Sequence, residues 1–224
     1  MTFSITGRCV KTGQMGIAIS SSSISVGARC PWLRPGVGAV STQNVTLPAL
    51  GERVLEQLAN GLAVELARDR ALASDVYSQY RQLTVLDASG HTAHFSGTRA
   101  LGRHHAVAGD QCVGAGNMLA EENVIVALVR AFENAEGELT SRLIQAMQAA
   151  MAAGGEAGPV HSAAVKVVGE HAWPIVDLRV DWADEDPIGE LATLWQAYQP
   201  QMQDYITRAL DPTQAPSYGV PGDQ

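Results

Sequence analysis

Apolar and polar positions change period several times along the chain, and the changes mark its elements. TFSITGR, carrying Phe3 and Ile5, is a β-rich run that starts at the second residue, so the amino terminus is expected to be built into the fold. GQMGIAISSSSISVG reads as a second strand, joined to the first through CVKTG as a hairpin, and the small residues of GVGAVSTQN suit a third strand buried under another layer. From Pro48 to about Tyr80 the period becomes helical: Leu50, Val54 and Leu58 share a stripe that Leu62 and Leu66 resume after Asn60-Gly61, which predicts two or three short helices. RQLTVLDASGHTAHFSG alternates about a hairpin turn at Ser89-Gly90, and HHAVAGDQCVGAGN reads as one further strand.

Val124, Leu128 and Phe132 then form one helical face, and Leu139, Leu143, Met147 and Met151 form another that stops at Gly154-Gly155. Strands return at HSAAVKVVG and WPIVDLRVD. Asp186 is the expected cap of a last helix with Pro187 in its first turn; Leu191, Leu194, Tyr198, Met202 and Tyr205 lie along one side, and Pro200 should kink or split it. The order is strands, helices, strands, helices, strands, helix, with hairpin neighbours in place of regular βαβ alternation. That order predicts an α+β fold, a four-layer αββα sandwich of two mostly antiparallel sheets between helical layers. Residues 1–210 are expected to form a single domain, and the Pro/Gly-rich 211–224 a loosely ordered tail.

Composition narrows the functional classes. Fifteen basic against 23 acidic side chains leave a net charge of -8, which argues against nucleic acid or anionic membranes as partners. The apolar run VIVALV is too short to span a bilayer, and the first residues lack a basic segment followed by an apolar one, so a cytoplasmic location is expected. Cys9, Cys30 and Cys112 are an odd number without CxxC spacing and read as reduced packing residues.

Several motifs fall away on inspection. GVGAV and GAGNM lack the third glycine of a dinucleotide fingerprint, and no phosphate-binding loop is present. His91 and His94 point to opposite faces of a strand, as do His104 and His105, and Asp181, Asp184, Glu185 and Asp186 lack calcium-loop spacing, so neither metal nor cofactor is expected. No G-x-S-x-G elbow surrounds Ser20 to Ser23.

The beginning of the chain is different. Removal of Met1, usual before a small residue, would give Thr2 a free α-amine beside its own hydroxyl. Such an amine has an ordinary pKa of roughly 7.7–8.0, so it can take the hydroxyl proton, directly or through a water, as the oxygen attacks a carbonyl.

TFSI, the G-x-A-x-S-S of the second strand and the VG that follows it, PW…GVGAVSTQN, RQ…VLDASG, GNML, SAAVKVV and DLRVD…DPIGEL together resemble the bacterial domain-of-unknown-function family numbered 1028. That family looks like a branch of the N-terminal-nucleophile (Ntn) hydrolases, whose shared fold is the same four-layer sandwich. The resemblance runs from Thr2 to about Tyr198 and places Thr2 at the position of the nucleophile, with Ser21, Gln43 and Asn117 around the pocket as oxyanion or substrate-binding groups. Two departures stand out. Where the family tends to have an acidic-arginine-glycine pattern this chain reads EAGPVHSAA, leaving Arg179 or Arg103 to grip any substrate carboxylate, and Trp182-Ala183 replaces a more usual Asp-His.

The resulting expectation is an Ntn-type hydrolase that cleaves a non-peptide amide of a small molecule through an acyl-enzyme on Thr2. The alternatives are a non-catalytic small-molecule-binding or assembly protein on the same fold, and a cysteine-dependent enzyme using Cys9 or Cys30. The aromatic last helix suggests a homodimer or higher homo-oligomer.

Overall fold

The computed structural model describes residues 2–220. One antiparallel sheet has six strands in the order β10-β9-β2-β1-β8-β7: β1 (Thr2–Arg8), β2 (Met15–Ser21), β7 (His105–Gly109), β8 (Cys112–Asn117), β9 (Ser162–Val168) and β10 (Pro174–Val180). The other has four in the order β3-β4-β5-β6: β3 (Pro31–Arg34), β4 (Gly38–Asn44), β5 (Arg81–Asp87) and β6 (Thr92–Ser96). Helices α1 (Ala49–Ala59) and α2 (Val64–Ala73) cover the four-stranded sheet, and α3 (Asn123–Asn134), α4 (Leu139–Ala152) and α5 (Pro187–Tyr198) cover the six-stranded one. The two sheets face each other, which completes the αββα sandwich.

The period-two rule explains how β1 organises this stack. Phe3 and Ile5 enter the core formed with α3 and α4, where they meet Leu128, Phe132, Leu143 and Met147. Thr2, Ser4 and Thr6 therefore face the opposite sheet, and all are buried. The layer between the sheets divides accordingly. Under β2 and β9 it is apolar, with Met15, Ile17, Ile19, Ala39, Leu86 and Ala164; under β1 and β8 it is polar.

Three elements differ from the pattern-based expectation. The second strand stops at Ser21, and Ser22–Ser25 form a turn into a short 3-10 segment at Val26–Ala28. HHAVAGDQCVGAGN is a hairpin of two strands, β7 and β8; its turn puts Gln111, not a glycine, at the left-handed position, φ 57. β3 is a four-residue edge strand that begins at a proline, too short to show a period. The last helix follows expectation: Asp186 accepts the Gly189 N–H at 2.9 Å, Pro187 opens α5, and a 3-10 turn through Pro200 separates it from α6 (Met202–Leu210).

Trp195, Tyr198 and Met202 pack onto the chain's own core, with Trp195 donating to Ser141 Oγ at 2.9 Å, so much of the aromatic surplus is spent on docking this helix pair. Beyond Leu210 the described residues are largely exposed yet fold back onto α6, where the Arg208 guanidinium lies 3.8 Å from the Tyr218 ring centroid. Residues 221–224 of the expected tail lie outside the described residues. Among the described residues no helix is long and apolar enough to cross a membrane.

Helix and sheet approach closely at Gly7, where a Cβ would stand 2.4 Å from Cζ of the fully buried Phe132. Gly7→Ala is expected to lower stability by about 1–3 kcal/mol in urea unfolding, because neither ring nor strand has room to yield.

Candidate functional site

Thr2 opens a central strand of the larger sheet, and its neighbours are fixed by register: Ser21 ends β2 on one side and Asn117 ends β8 on the other. Residues paired across antiparallel strands project to the same face, so Thr2, Ser21 and Asn117 all point toward the opposite sheet. The Thr2 and Ser21 hydroxyls lie 3.2 Å apart. From Ser21 the hydroxyls continue outward: Ser21 Oγ to Ser23 Oγ is 2.9 Å, Ser23 N–H donates to Ser21 Oγ at 3.1 Å, and Arg29 donates to Ser23 Oγ at 2.7 Å. The loop that carries this run is anchored by Ser162, whose hydroxyl donates to the Ser23 carbonyl at 2.6 Å.

Toward the opposite sheet the contacts are amides. Ser4 donates to Gln43 Oε1 at 2.8 Å, Gln43 Nε2 donates to Gln82 Oε1 at 2.8 Å, and Asn117 Nδ2 donates to the same oxygen at 3.0 Å. Gln82 in turn donates to Ser96 Oγ and to the Gly116 carbonyl, both at 2.9 Å. Deeper along β1, the Thr6 and Thr84 hydroxyls meet at 2.9 Å. The four residues expected at the site, Thr2, Ser21, Gln43 and Asn117, are thus gathered into one buried polar seam. Its hub, Gln82, is the glutamine of the RQ in the resemblance but was not among the expected site residues; its place is set only once β5 is known to lie beside β4.

Glu156 was also missed. The Gly154-Gly155 pair, both at positive φ, ends α4 and turns the chain back. Glu156 then bridges Leu119 just beyond β8, with Ala157 N–H donating to the Met118 carbonyl at 3.0 Å. Its side chain is buried, and Ser22, which faces it, does not reach hydrogen-bond geometry with either carboxyl oxygen. Burial pushes its carboxyl up to about 8, against the pull of the chain's terminal ammonium and of Ser22. The clue in the sequence was EAGPVHSAA, which drew notice for its missing arginine and not for the acid beside it.

Thr2 is itself closely packed, 5% exposed. A cleft of 460 Å³ opens elsewhere, at the far end of β1, between Arg8, Cys9, Lys11, Glu133 and Arg142. Of the two arginines considered for substrate binding, Arg103 donates to the Ala120 carbonyl and pairs with Glu121 at 3.3 Å, while Arg179 lies 3.7 Å from Asp177. The cysteines are free and buried. Burial pushes the Cys30 and Cys112 thiols up to about 12, far from thiolate formation at neutral pH. At Cys9 burial also raises the pKa, but hydrogen bonding from Thr12 and Lys11 and the nearby Arg142 outweigh it and lower the thiol below its ordinary value. Among the described residues no group of three or more His, Cys, Asp and Glu side chains converges as a metal site would require.

Comparison with known proteins places this architecture. The model of the family of unknown function DUF1028 matches residues 2–191. The crystal structure of protein SPO2555 from Silicibacter pomeroyi, of the same family, has a TM-score of 0.85 at 30% identity, covering 91% of this chain and 89% of that one. More distant are Anbu, an ancestral beta-subunit, from Yersinia bercovieri, with a TM-score of 0.41 at 9% identity over 97% of this chain and 100% of that one, and an Anbu Gly-1 mutant from Hyphomicrobium sp. strain MC1, with 0.41 at 10% identity over 92% and 99%. No curated protein matches the chain.

Removing the hub should expose how the seam is held. Gln82→Leu strips two amide donors of their acceptor, and a loss of about 3 kcal/mol is expected in chemical denaturation. An unchanged midpoint would mean that water replaces Gln82 at no cost.

Proposed function

The chain belongs to the DUF1028 family, and from that membership together with the setting of its second residue we propose that it is an Ntn-type hydrolase with Thr2 as nucleophile. The reaction is cleavage of a non-peptide amide of a small molecule. The observation that carries the reading is the placement of Thr2 at the tip of a central strand, with its hydroxyl 3.2 Å from Ser21 and buried amides on the facing sheet.

Met1 lies outside the described residues, and its removal is part of the proposal. The freed α-amine takes the proton of Thr2 Oγ1 as that oxygen bonds to the substrate carbonyl. The C–N bond then breaks, the proton passes to the departing nitrogen, and an ester on Thr2 remains. Water, deprotonated by the same amine, attacks the ester; the acid product leaves and the proton returns to Oγ1. Arg29, Ser23 and Ser21 form a hydrogen-bonded run that reaches Oγ1, and with each hydroxyl turned to donate toward Thr2 it lowers the cost of developing negative charge there. Gln43 and Asn117 sit on the same seam and each already donates to Gln82, so their part in binding an oxyanion requires the second hydrogen of each amide.

A second reading keeps the sandwich without catalysis, as a small-molecule-binding or assembly protein. The near-complete burial of Thr2 favours it, because a packed strand residue looks the same.

The location is cytoplasmic in this proposal, which fits three free, buried cysteines. Exposed Trp173, Tyr205 and Tyr218 offer a surface for a second copy.

Intact-mass measurement of the purified chain should show Met1 absent. Treatment with a β-lactone should then place one hydroxylamine-labile ester on Thr2, absent in Thr2→Ala and formed about 100-fold more slowly in Ser21→Ala. Retained Met1, or an adduct that persists in Thr2→Ala, contradicts the nucleophile. Light scattering should give a multiple of the monomer mass that Tyr205→Glu lowers; a monomeric wild type removes the oligomer.

A further inference from the structure

Among the described residues, the buried side-chain acceptor oxygens that lack a hydrogen-bond partner are three: Asn117 Oδ1 and the two carboxyl oxygens of Glu156. Orphaned acceptors are costly in a protein interior, a carboxylate above all. All three flank one place. Asn117 is the register partner of Thr2 on β8, and Glu156 bridges Leu119, two residues further along the same chain direction. On the other flank Ser21 is the register partner of Thr2 on β2, and the next residue, Ser22, is the polar group acting on Glu156. Glu156 therefore lies beyond the amino-terminal tip of β1, between the two strand ends that border Thr2.

We propose that Glu156 is the positioning carboxylate for the α-amino group of Thr2 in the trimmed chain, with Asn117 Oδ1 as its second acceptor, and that Glu156 and the amine share one proton. The inference rests on the reading of Thr2 as the mature terminus. An α-ammonium brings three N–H donors to the side of the strand where three acceptor oxygens stand unpaired. The pairing also solves a problem of the chemistry. An α-ammonium cannot act as a base until it loses a proton, and the Glu156 carboxylate, whose affinity for a proton is raised by burial, stands where it can take it. The proton moves from nitrogen to the carboxylate oxygen, the neutral amine then takes the Oγ1 proton, and Glu156 keeps its own proton until the cycle ends.

The groups around Glu156 leave it for this partner. Ser22 faces it from the end of β2 and is close enough to lower its pKa. On adjoining segments Arg103 and Glu121 pair with each other, and His161, whose N–H bonds the Ser21 carbonyl, places its Nδ1 2.8 Å from the Ala183 carbonyl.

The test is an NMR titration of the α-nitrogen in the mature chain, wild type beside Glu156→Gln. Gln keeps the shape and removes the charge, so the amine's affinity for its proton should fall about tenfold or more. Equal titration in the two chains overturns the role. Should the variant fail to fold, the wild type alone decides: the Glu156 carboxyl carbon and the α-nitrogen should each report the same two coupled steps, and two independent single steps overturn the pairing. Thr2→Ala separates this inference from the hydrolase reading, since Ala at position 2 presents the same amine. Coupled titration without β-lactone acylation of the wild type leaves Glu156 its role and removes the hydrolase; acylation without coupling removes Glu156 alone.

Discussion

A layer of buried polar groups between two sheets is stable only when each donor finds an acceptor across the gap, and in this protein that requirement converges on Gln82. Its oxygen accepts from Gln43 on the neighbouring strand and from Asn117 on the opposing sheet, while its nitrogen holds Ser96 and the Gly116 carbonyl. Sliding one sheet over the other would break these bonds together, and a one-residue slip of β1 within its own sheet would turn Thr2, Ser4 and Thr6 toward the apolar helix layer. The hydrogen bonds that specify how the sheets stack are thus the ones that hold the tip of β1 in place. Apolar contacts under β2 and β9 supply burial on the other half of the same interface, but apolar packing alone tolerates slippage.

This division of labour explains what could be read from the sequence. Elements with a strong period were legible, from β1 to the paired helices α3 and α4, and the Asp186-Pro187 start of α5 was legible because capping is local chemistry. β3 and the β7-β8 turn were not, since a four-residue strand has no period and Gln111 adopts the left-handed conformation without a glycine. At the site, Thr2 was legible from its place behind a removable Met1, Ser21, Gln43 and Asn117 were found through resemblance, and the fold brings the four together. Gln82 and Glu156 depend on which strands and turns become neighbours, a property of tertiary register that a single chain of letters does not display.

The two ends of β1 contrast sharply. The Arg8 end opens on a cleft with mixed charge, whereas the Thr2 end is closed and its polar groups bond chiefly to one another. A closed end lined with hydroxyls and amides suits chemistry only when something is removed to open it. Trimming of the residue ahead of Thr2 would do so, and it would deliver an ammonium to the unpaired oxygens of Glu156 and Asn117 in the same event.

The most direct examination of this account is a crystal structure of the mature protein after exposure to a small β-lactone. Continuous density from Thr2 Oγ1 into an ester, with the α-nitrogen within hydrogen-bonding distance of Glu156, is the predicted outcome. An intact residue ahead of Thr2, or an unmodified and still enclosed hydroxyl with Glu156 paired to some other group, would contradict it.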